Sequence, residues 1–194
     1  RSDTSVTSTS ATTTYSYNAA GQLQMTRGPD NQKTWVIFDA AGHKAGEVSP
    51  SRNLREFVYN ASGQLTRTVE YASNAKIPIT PSSTLATVRP TISSTDRSEW
   101  MAYDSAGRLW KKVASDGSVS ENFYDGASRL IATRVYATTI ASDALGNSPT
   151  GAAIAPAVDA ADRLIRYFYD ADGLQTATLD AEGYLVTWTY DAAG

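Results

Sequence analysis

Apolar and polar residues alternate along most of this chain in short arms. Leu23, Met25 and Arg27 share one side of an arm, Leu65, Arg67, Val69 and Tyr71 share another, and Tyr184, Val186, Trp188 and Tyr190 a third. A period of two places alternate side chains on opposite faces of an extended strand. Two kinds of turn signal separate the arms. The first is an aromatic, then Asp or Asn, then small residues ending on Gly in all but one case. It occurs as Tyr17-Asn18-Ala19-Ala20-Gly21, Phe38-Asp39-Ala40-Ala41-Gly42, Tyr59-Asn60-Ala61-Ser62-Gly63, Tyr103-Asp104-Ser105-Ala106-Gly107, Tyr124-Asp125-Gly126-Ala127-Ser128, Tyr169-Asp170-Ala171-Asp172-Gly173 and Tyr190-Asp191-Ala192-Ala193-Gly194. The aromatics are separated by 21, 21, 44, 21, 45 and 21 residues. The second signal, such as Gly28-Pro29-Asp30-Asn31, Ser49-Pro50-Ser51, Ser115-Asp116-Gly117 or Asp180-Ala181-Glu182-Gly183, divides each unit into two arms. Each unit therefore reads as a β-hairpin. The aromatic suits a pleated surface, Asp or Asn bonds its own backbone two residues on, and Gly takes a positive φ.

A hairpin cannot bury its face alone, so stacked units must share a continuous antiparallel sheet. The expected fold is all-β, a tandem array of hairpins over residues 15–194, preceded by a Ser/Thr-rich arm over residues 1–14. A longer order lies above the 21-residue period. Aligning Tyr59 with Tyr124 sets Tyr71 on Tyr136 and brings Asp96-Arg97 within one residue of Asp162-Arg163. A unit of about 65 residues is thus repeated, each copy carrying an insertion rich in Pro, Ser, Thr and Ala, at about 72–94 and 137–158. These insertions read as long loops on one side of the sheet, each with a short helical turn. An array of hairpins ends in two unpaired sheet edges, which predicts end-to-end association of the isolated chain.

Composition narrows the function classes. A chain of 194 residues with 41% hydrophobic and 19% charged residues can build a packed core. A net charge of −3 lacks the basic excess that phosphate neutralisation needs, so nucleic acid is not expected as a partner. Cysteine is absent, which excludes disulfides and thiolate chemistry. No apolar run is long enough to span a bilayer, so membrane insertion is not expected. The chain begins without Met and stops within a turn motif, and is expected to be a piece of a longer exported chain.

Tyr103-Asp104-Ser105-Ala106-Gly107-Arg108-Leu109, Tyr59-Asn60-Ala61-Ser62-Gly63-Gln64-Leu65 and Tyr124-Asp125-Gly126-Ala127-Ser128-Arg129-Leu130 resemble the Tyr-Asp-x-x-Gly-Arg-Leu core of the Rhs/YD-repeat family. That family includes bacterial Rhs polymorphic toxins, the B and C components of Tc toxins, and the teneurin shell. The resemblance runs from Tyr15 to Gly194. It implies a sheet that spirals into a hollow β-shell or solenoid, at the cell surface or secreted, enclosing a toxic domain or serving adhesion. Complete shells hold many more repeats, so this chain would form an arc of the wall. No Asp-Pro dipeptide occurs, and the family's Asp-Pro-x-x-Gly self-cleavage signature is absent from this segment. The implied partners are neighbouring repeats of the parent chain and a protein cargo.

Sharper chemistry finds little support. The only histidine, His43, stands where Gln22, Gln64, Arg108 and Arg129 stand in other units, so it is a repeat substitution, and one His assembles no triad or His-metal set. Asp170, Asp172 and Gly173 begin like a calcium loop, yet the positions where an EF-hand needs Gly and Glu hold Gln175 and Ala181. Weak calcium binding would fall on Asp170, Asp172, Asp180 and Glu182. No catalytic, cofactor-binding or metal-ligating residue is predicted, and the chain is not expected to be an enzyme. The alternative function is an adhesin-type module that binds glycan or a surface protein. It would use Trp35, Trp100, Trp110 and Trp188, which are otherwise expected to pack along the sheet.

Overall fold

The computed structural model describes residues 11–191. Residues 1–10, which make up most of the Ser/Thr-rich arm, and Ala192, Ala193 and Gly194 lie outside the described residues. Thirteen strands make one sheet: β1 (Thr14–Tyr17), β2 (Leu23–Arg27), β3 (Lys33–Phe38), β4 (Lys44–Val48), β5 (Asn53–Tyr59), β6 (Leu65–Asn74), β7 (Arg97–Tyr103), β8 (Leu109–Val113), β9 (Val119–Tyr124), β10 (Leu130–Val135), β11 (Arg163–Tyr169), β12 (Gln175–Leu179) and β13 (Leu185–Thr187). Their order in the sheet is their order in the chain, from β1 to β13, with antiparallel pairing. The expected all-β array of hairpins is the observed fold.

Register explains why the motif aromatic ends a strand. The pairing slips by one residue at Ser16/Tyr17, Ile37/Phe38, Ala102/Tyr103 and Phe168/Tyr169, just before the aromatic in each case. A bulge adds one residue to one strand and changes the face on which the next side chain emerges. The left-handed glycine that such a turn requires follows, as at Gly42 (φ 85°) and Gly107 (φ 80°). Where the motif lacks Gly, Ser128 takes φ 64° itself.

Two compact units are distinguished along the chain. The first holds the described residues to Phe57 together with Val69–Arg97. Its core is Trp35, Ile37, Val48, Leu54, Val69, Tyr71, Ala75 and Val88, with Met25, Ile79 and Leu85 packed against it. Strand β6 carries on to Asn74, and within the first insertion lies the short helix α1 (Leu85–Val88). Leu54, Val48 and Val88 are almost fully buried. Each such side chain contributes on the order of 2 kcal/mol of transfer free energy. The second unit holds Val58–Thr68 and the described residues from Ser98 onward. Its core is Trp100, Ala102, Val113, Val119, Tyr136 and Ile154, joined by Ile140 and Leu145. The second insertion forms turns without a helix.

The two cores match position by position. Trp35, Val48, Leu54 and Tyr71 lie 65 residues before Trp100, Val113, Val119 and Tyr136, and Val88 lies 66 before Ile154. Each insertion therefore lays one apolar side chain onto the same patch of its own hairpins.

Candidate functional site

The motif residues form a rung at each turn. In every complete motif the Asp or Asn Oδ1 accepts two backbone N–H groups, two and four residues on: Ala106 and Arg108 to Asp104, Ala127 and Arg129 to Asp125, Asp172 and Leu174 to Asp170. Asn18, Asp39 and Asn60 accept in the same way. The Gly N–H, at Gly21, Gly42, Gly63, Gly107 and Gly173, returns to the carbonyl of the Asp or Asn. The second turns echo this at Asp180, whose Oδ1 takes the N–H groups of Glu182 and Tyr184.

The aromatics and the residue after Gly reach outward. Tyr103, Tyr124, Tyr169 and Tyr190 donate their hydroxyls to the carbonyls of Leu65, Leu109, Leu130 and Gln175, at 2.8 to 2.9 Å. Arg108 Nε donates to Asp104 Oδ2 at 2.8 Å, its guanidinium lies over the Tyr124 ring, and one nitrogen reaches the Asp125 carbonyl. Arg129 repeats this with Asp125, Tyr169 and the Asp170 carbonyl. Gln22 and Gln64 instead take the amide N–H of Asn18 and Asn60 and donate to the carbonyls of Gly42 and Gly107. An amide thus pairs with an amide, and a carboxylate with a cation at Asp104 and Asp125 or, at Asp39, with His43 Nδ1 at 3.0 Å, while at Asp170 the matching residue is Leu174. That co-choice is visible in the sequence but only as spacing; the bridge to the next turn is not.

These rungs shift the carboxylates. Backbone and then side-chain hydrogen bonds from Arg108 hold the Asp104 carboxyl below the usual value, and Arg129 does the same at Asp125. Partial burial pushes Asp39 the other way, but the backbone and side-chain hydrogen bonds of His43 prevail and keep it low.

Beneath each insertion sits a buried carboxylate that the sequence reading did not single out. In the first unit Arg89 donates to both oxygens of Glu56, at 2.8 and 2.6 Å, and Tyr71 donates to Oε2 at 2.5 Å. Burial, and next the Glu56 acceptor, push the Tyr71 phenol well above its ordinary range. In the second unit Glu121, 65 residues on, takes the Trp110 indole N–H at 2.8 Å and the Tyr136 hydroxyl. Lys111 Nζ there donates to the Gly151 and Ile154 carbonyls. Asp96 and Asp162 each accept the N–H that starts their insertion, from Ala72 and Ala137, both at 2.9 Å. The aligned acidic residues are therefore pins that tie the end of each insertion to its beginning.

Volume is exchanged between the copies. A Cβ on Gly151 would lie 2.1 Å from the Trp110 ring, whereas in the first unit Ala45 takes the Trp110 position and Leu85 the Gly151 position. Leu85 in turn fits because Gly46 stands where Lys111 does.

Of the four tryptophans, Trp35 and Trp100 are buried in the cores and Trp188 is exposed. Trp110, with Tyr103, Arg108 and Tyr124, lines an open cleft of about 580 Å³ in the second unit. Among the described residues no group of three His, Cys, Asp or Glu side chains could hold a metal ion. Asp170 and Asp180 direct Oδ1 at their own turns, and Glu182 pairs with Arg163 at 2.6 Å. No helix is long and apolar enough to cross a membrane among the described residues.

No protein-family model and no curated protein match the chain. Solved structures do. The Photorhabdus luminescens Tc holotoxin pore matches over 88% of this chain at 14% identity and a TM-score of 0.57. TcdB2-TccC3-Cdc42 matches over 92% at 11% identity and 0.58, and TcdB2-TccC3-TEV over 87% at 16% identity and 0.56. The chain spans only 7 to 8% of the length of those chains. With the hairpin order and the turn motifs, this likeness shows that the chain shares the fold of a segment of these Tc toxin structures, and its turn motifs are consistent with the Rhs/YD-repeat pattern.

Proposed function

We propose that the chain is a non-catalytic wall segment of an exported Rhs/YD-repeat protein, part of a β-shell that encloses or presents a cargo domain. The observation that carries this reading is the rung itself. The motif Asp and Asn side chains hold their own turns, and Arg108 and Arg129 also reach the next, as Arg108 does between Asp104 and Asp125. Both buried carboxylates also have both oxygens occupied, Glu56 by Arg89 and Tyr71, Glu121 by Trp110 and Tyr136. General acid-base chemistry needs a titratable group free to meet substrate, and these groups face one another.

The proposed partners are further hairpins that extend the sheet beyond β1 and β13, and a protein cargo beside the wall. Support for the first lies in the exposure of Leu185 and Val186 on β13 and of Tyr184 just before it, and in a strand edge that has no neighbour after β13 among the described residues. Electron cryomicroscopy of the full-length parent tests the reading. The expected density shows hairpins continuing from β13 and a separate domain against one sheet face. Density showing β13 bare in the parent, or a glycan seated on the sheet in place of a cargo, would overturn it in favour of the adhesin-type module.

A further inference from the structure

The two units differ at one donor. In the second, Trp100 Nε1 donates to the carbonyl of Gly146 at 2.8 Å. In the first, Trp35 holds the matching strand position and Thr80 the matching insertion position, 65 and 66 residues earlier. The Thr80 carbonyl accepts from the Ser83 N–H at 3.0 Å, and no bond joins it to the Trp35 indole. Among the described residues no acceptor meets the Trp35 indole N–H, and although the side chain packs in the core this nitrogen keeps access to solvent. A solvent-facing indole N–H is open to an acceptor that a ligand brings.

Trp35 lines a cleft of about 430 Å³ in the first unit. Lys33 stands with its ammonium 5.9 Å from the Trp35 ring centroid, and Arg52 borders the same space. Neither forms an ion pair among the described residues. At the matching positions the second unit has Ser98 and Gly117, and there Arg67, bonded to Ser98, lies over Trp100; a cation beside the tryptophan is common to both copies, and Arg52 is the one particular to the first. The Gln32 side chain adds an amide, while Ile77, 64% exposed, and Ile79 form an apolar wall from the insertion. The nearest acid in the flanking turn, Asp30, turns Oδ1 to the Gln32 backbone N–H and does not line the cleft.

We propose that this cleft binds an acidic peptide segment, one that carries a carboxylate beside an aliphatic side chain. A carboxylate accepts from the indole N–H and from Lys33 or Arg52 together, and charge-assisted bonds are the strong ones. The exposed isoleucine wall favours an aliphatic neighbour over the hydroxylated surface of an acidic sugar. The site is independent of the wall reading, since neither cation belongs to a turn rung.

The test is an NMR titration of the full chain with acetyl-Leu-Asp-Leu-amide, following the tryptophan indole N–H signals, with Trp35 assigned by Trp35→Phe. The expected result is a saturable shift of the Trp35 signal with the Trp100 signal, already capped, unmoved. The Asn counterpart of the peptide and the Lys33→Gln/Arg52→Asn variant should each weaken binding at least about tenfold. Asn is chosen because it tolerates the left-handed φ of 69° at residue 52. A Trp35 indole signal of the free variant at its position in the unsubstituted chain shows that the first unit is folded. No Trp35 shift, equal binding of the Asn peptide, or full affinity in the folded variant would overturn the proposal. So would saturation by a glucuronic-acid oligosaccharide with the peptide inert.

Discussion

The guanidinium of Arg108 lies 4.5 Å from the centroid of the Tyr124 ring while its Nε holds the Asp104 carboxylate of its own turn. One side chain thus joins two consecutive turns through a cation-π contact and a charged hydrogen bond. Arg129 stands in the same relation to Asp125 and Tyr169.

Arg108→Ala should lower the stability of the second unit by about 1 kcal/mol, the scale of a partly exposed cation-π contact with a surface ion pair. Urea unfolding measures it. The double change Asp104→Asn with Arg108→Gln should recover part of the loss, because it rebuilds the amide rung seen between Asn60 and Gln64. A double variant weaker than Arg108→Ala would show that the amide rung does not transfer.

Acid should weaken the fold through the same rungs. Asp104 and Asp125 have folded values below their ordinary 3.8, so their contribution is complete above about pH 4 and is lost as pH falls through the depressed folded values. Stability measured from pH 5 down to pH 2 should therefore fall, and Asp104→Asn/Asp125→Asn should flatten that limb. An equally steep limb in the double variant would place the acid sensitivity elsewhere.

Alkali acts with the opposite sign. The Tyr71 phenol is raised above its ordinary 10.0 in the folded state, so its contribution is present below pH 10 and declines as pH climbs toward the raised value. Tyr71→Phe should lose stability at neutral pH, where Glu56 loses a donor, yet show a shallower decline above pH 10. Thermal unfolding between pH 8 and 11 gives both slopes.

Arg89→Ala leaves the Glu56 carboxylate buried with only Tyr71 as a partner, and should cost about 2 kcal/mol. That is below the usual loss for a broken buried pair because Arg89 is 37% exposed. Adding Glu56→Gln should return part of it by removing the buried charge. Guanidinium unfolding of the three variants decides the order.

Gly151→Ala places a methyl where the Trp110 ring lies, and should cost about 1–3 kcal/mol. Trp110→Ala should rescue it, since Ala45 with Leu85 is the same exchange in the first unit. A Gly151→Ala protein as stable as the parent would contradict the tight contact.

The hairpins were legible because their signals are local. A strand alternates, an Asp or Asn bonds two residues on, and Gly21 or Gly107 marks a left-handed step, so a short window contains the whole cause. The insertions were legible only as copies. The offset of Asp96 and Asp162 was visible, but their task of accepting the N–H of Ala72 and Ala137 depends on a chain reversal that no periodicity records. Glu56 and Glu121 read as ordinary polar positions of alternating arms. They are buried because Tyr71, Arg89, Tyr136 and Trp110 converge on them from separate segments. The donor left uncapped at Trp35 becomes visible only beside Trp100 and Gly146.

The central claim is that this is a modular wall, built of 65-residue copies that each close their own core. Deleting residues 35–99 removes one copy and joins Thr34 to Trp100 in the register that Trp35 held. In a repeat array each unit depends on its neighbours alone. The measurement is the urea transition of this deletion beside that of an off-register deletion of residues 35–94. The account predicts a single cooperative transition with the Trp100 core intact for the first, and loss of cooperativity for the second. Collapse of both proteins, or equal folding of both, would contradict it.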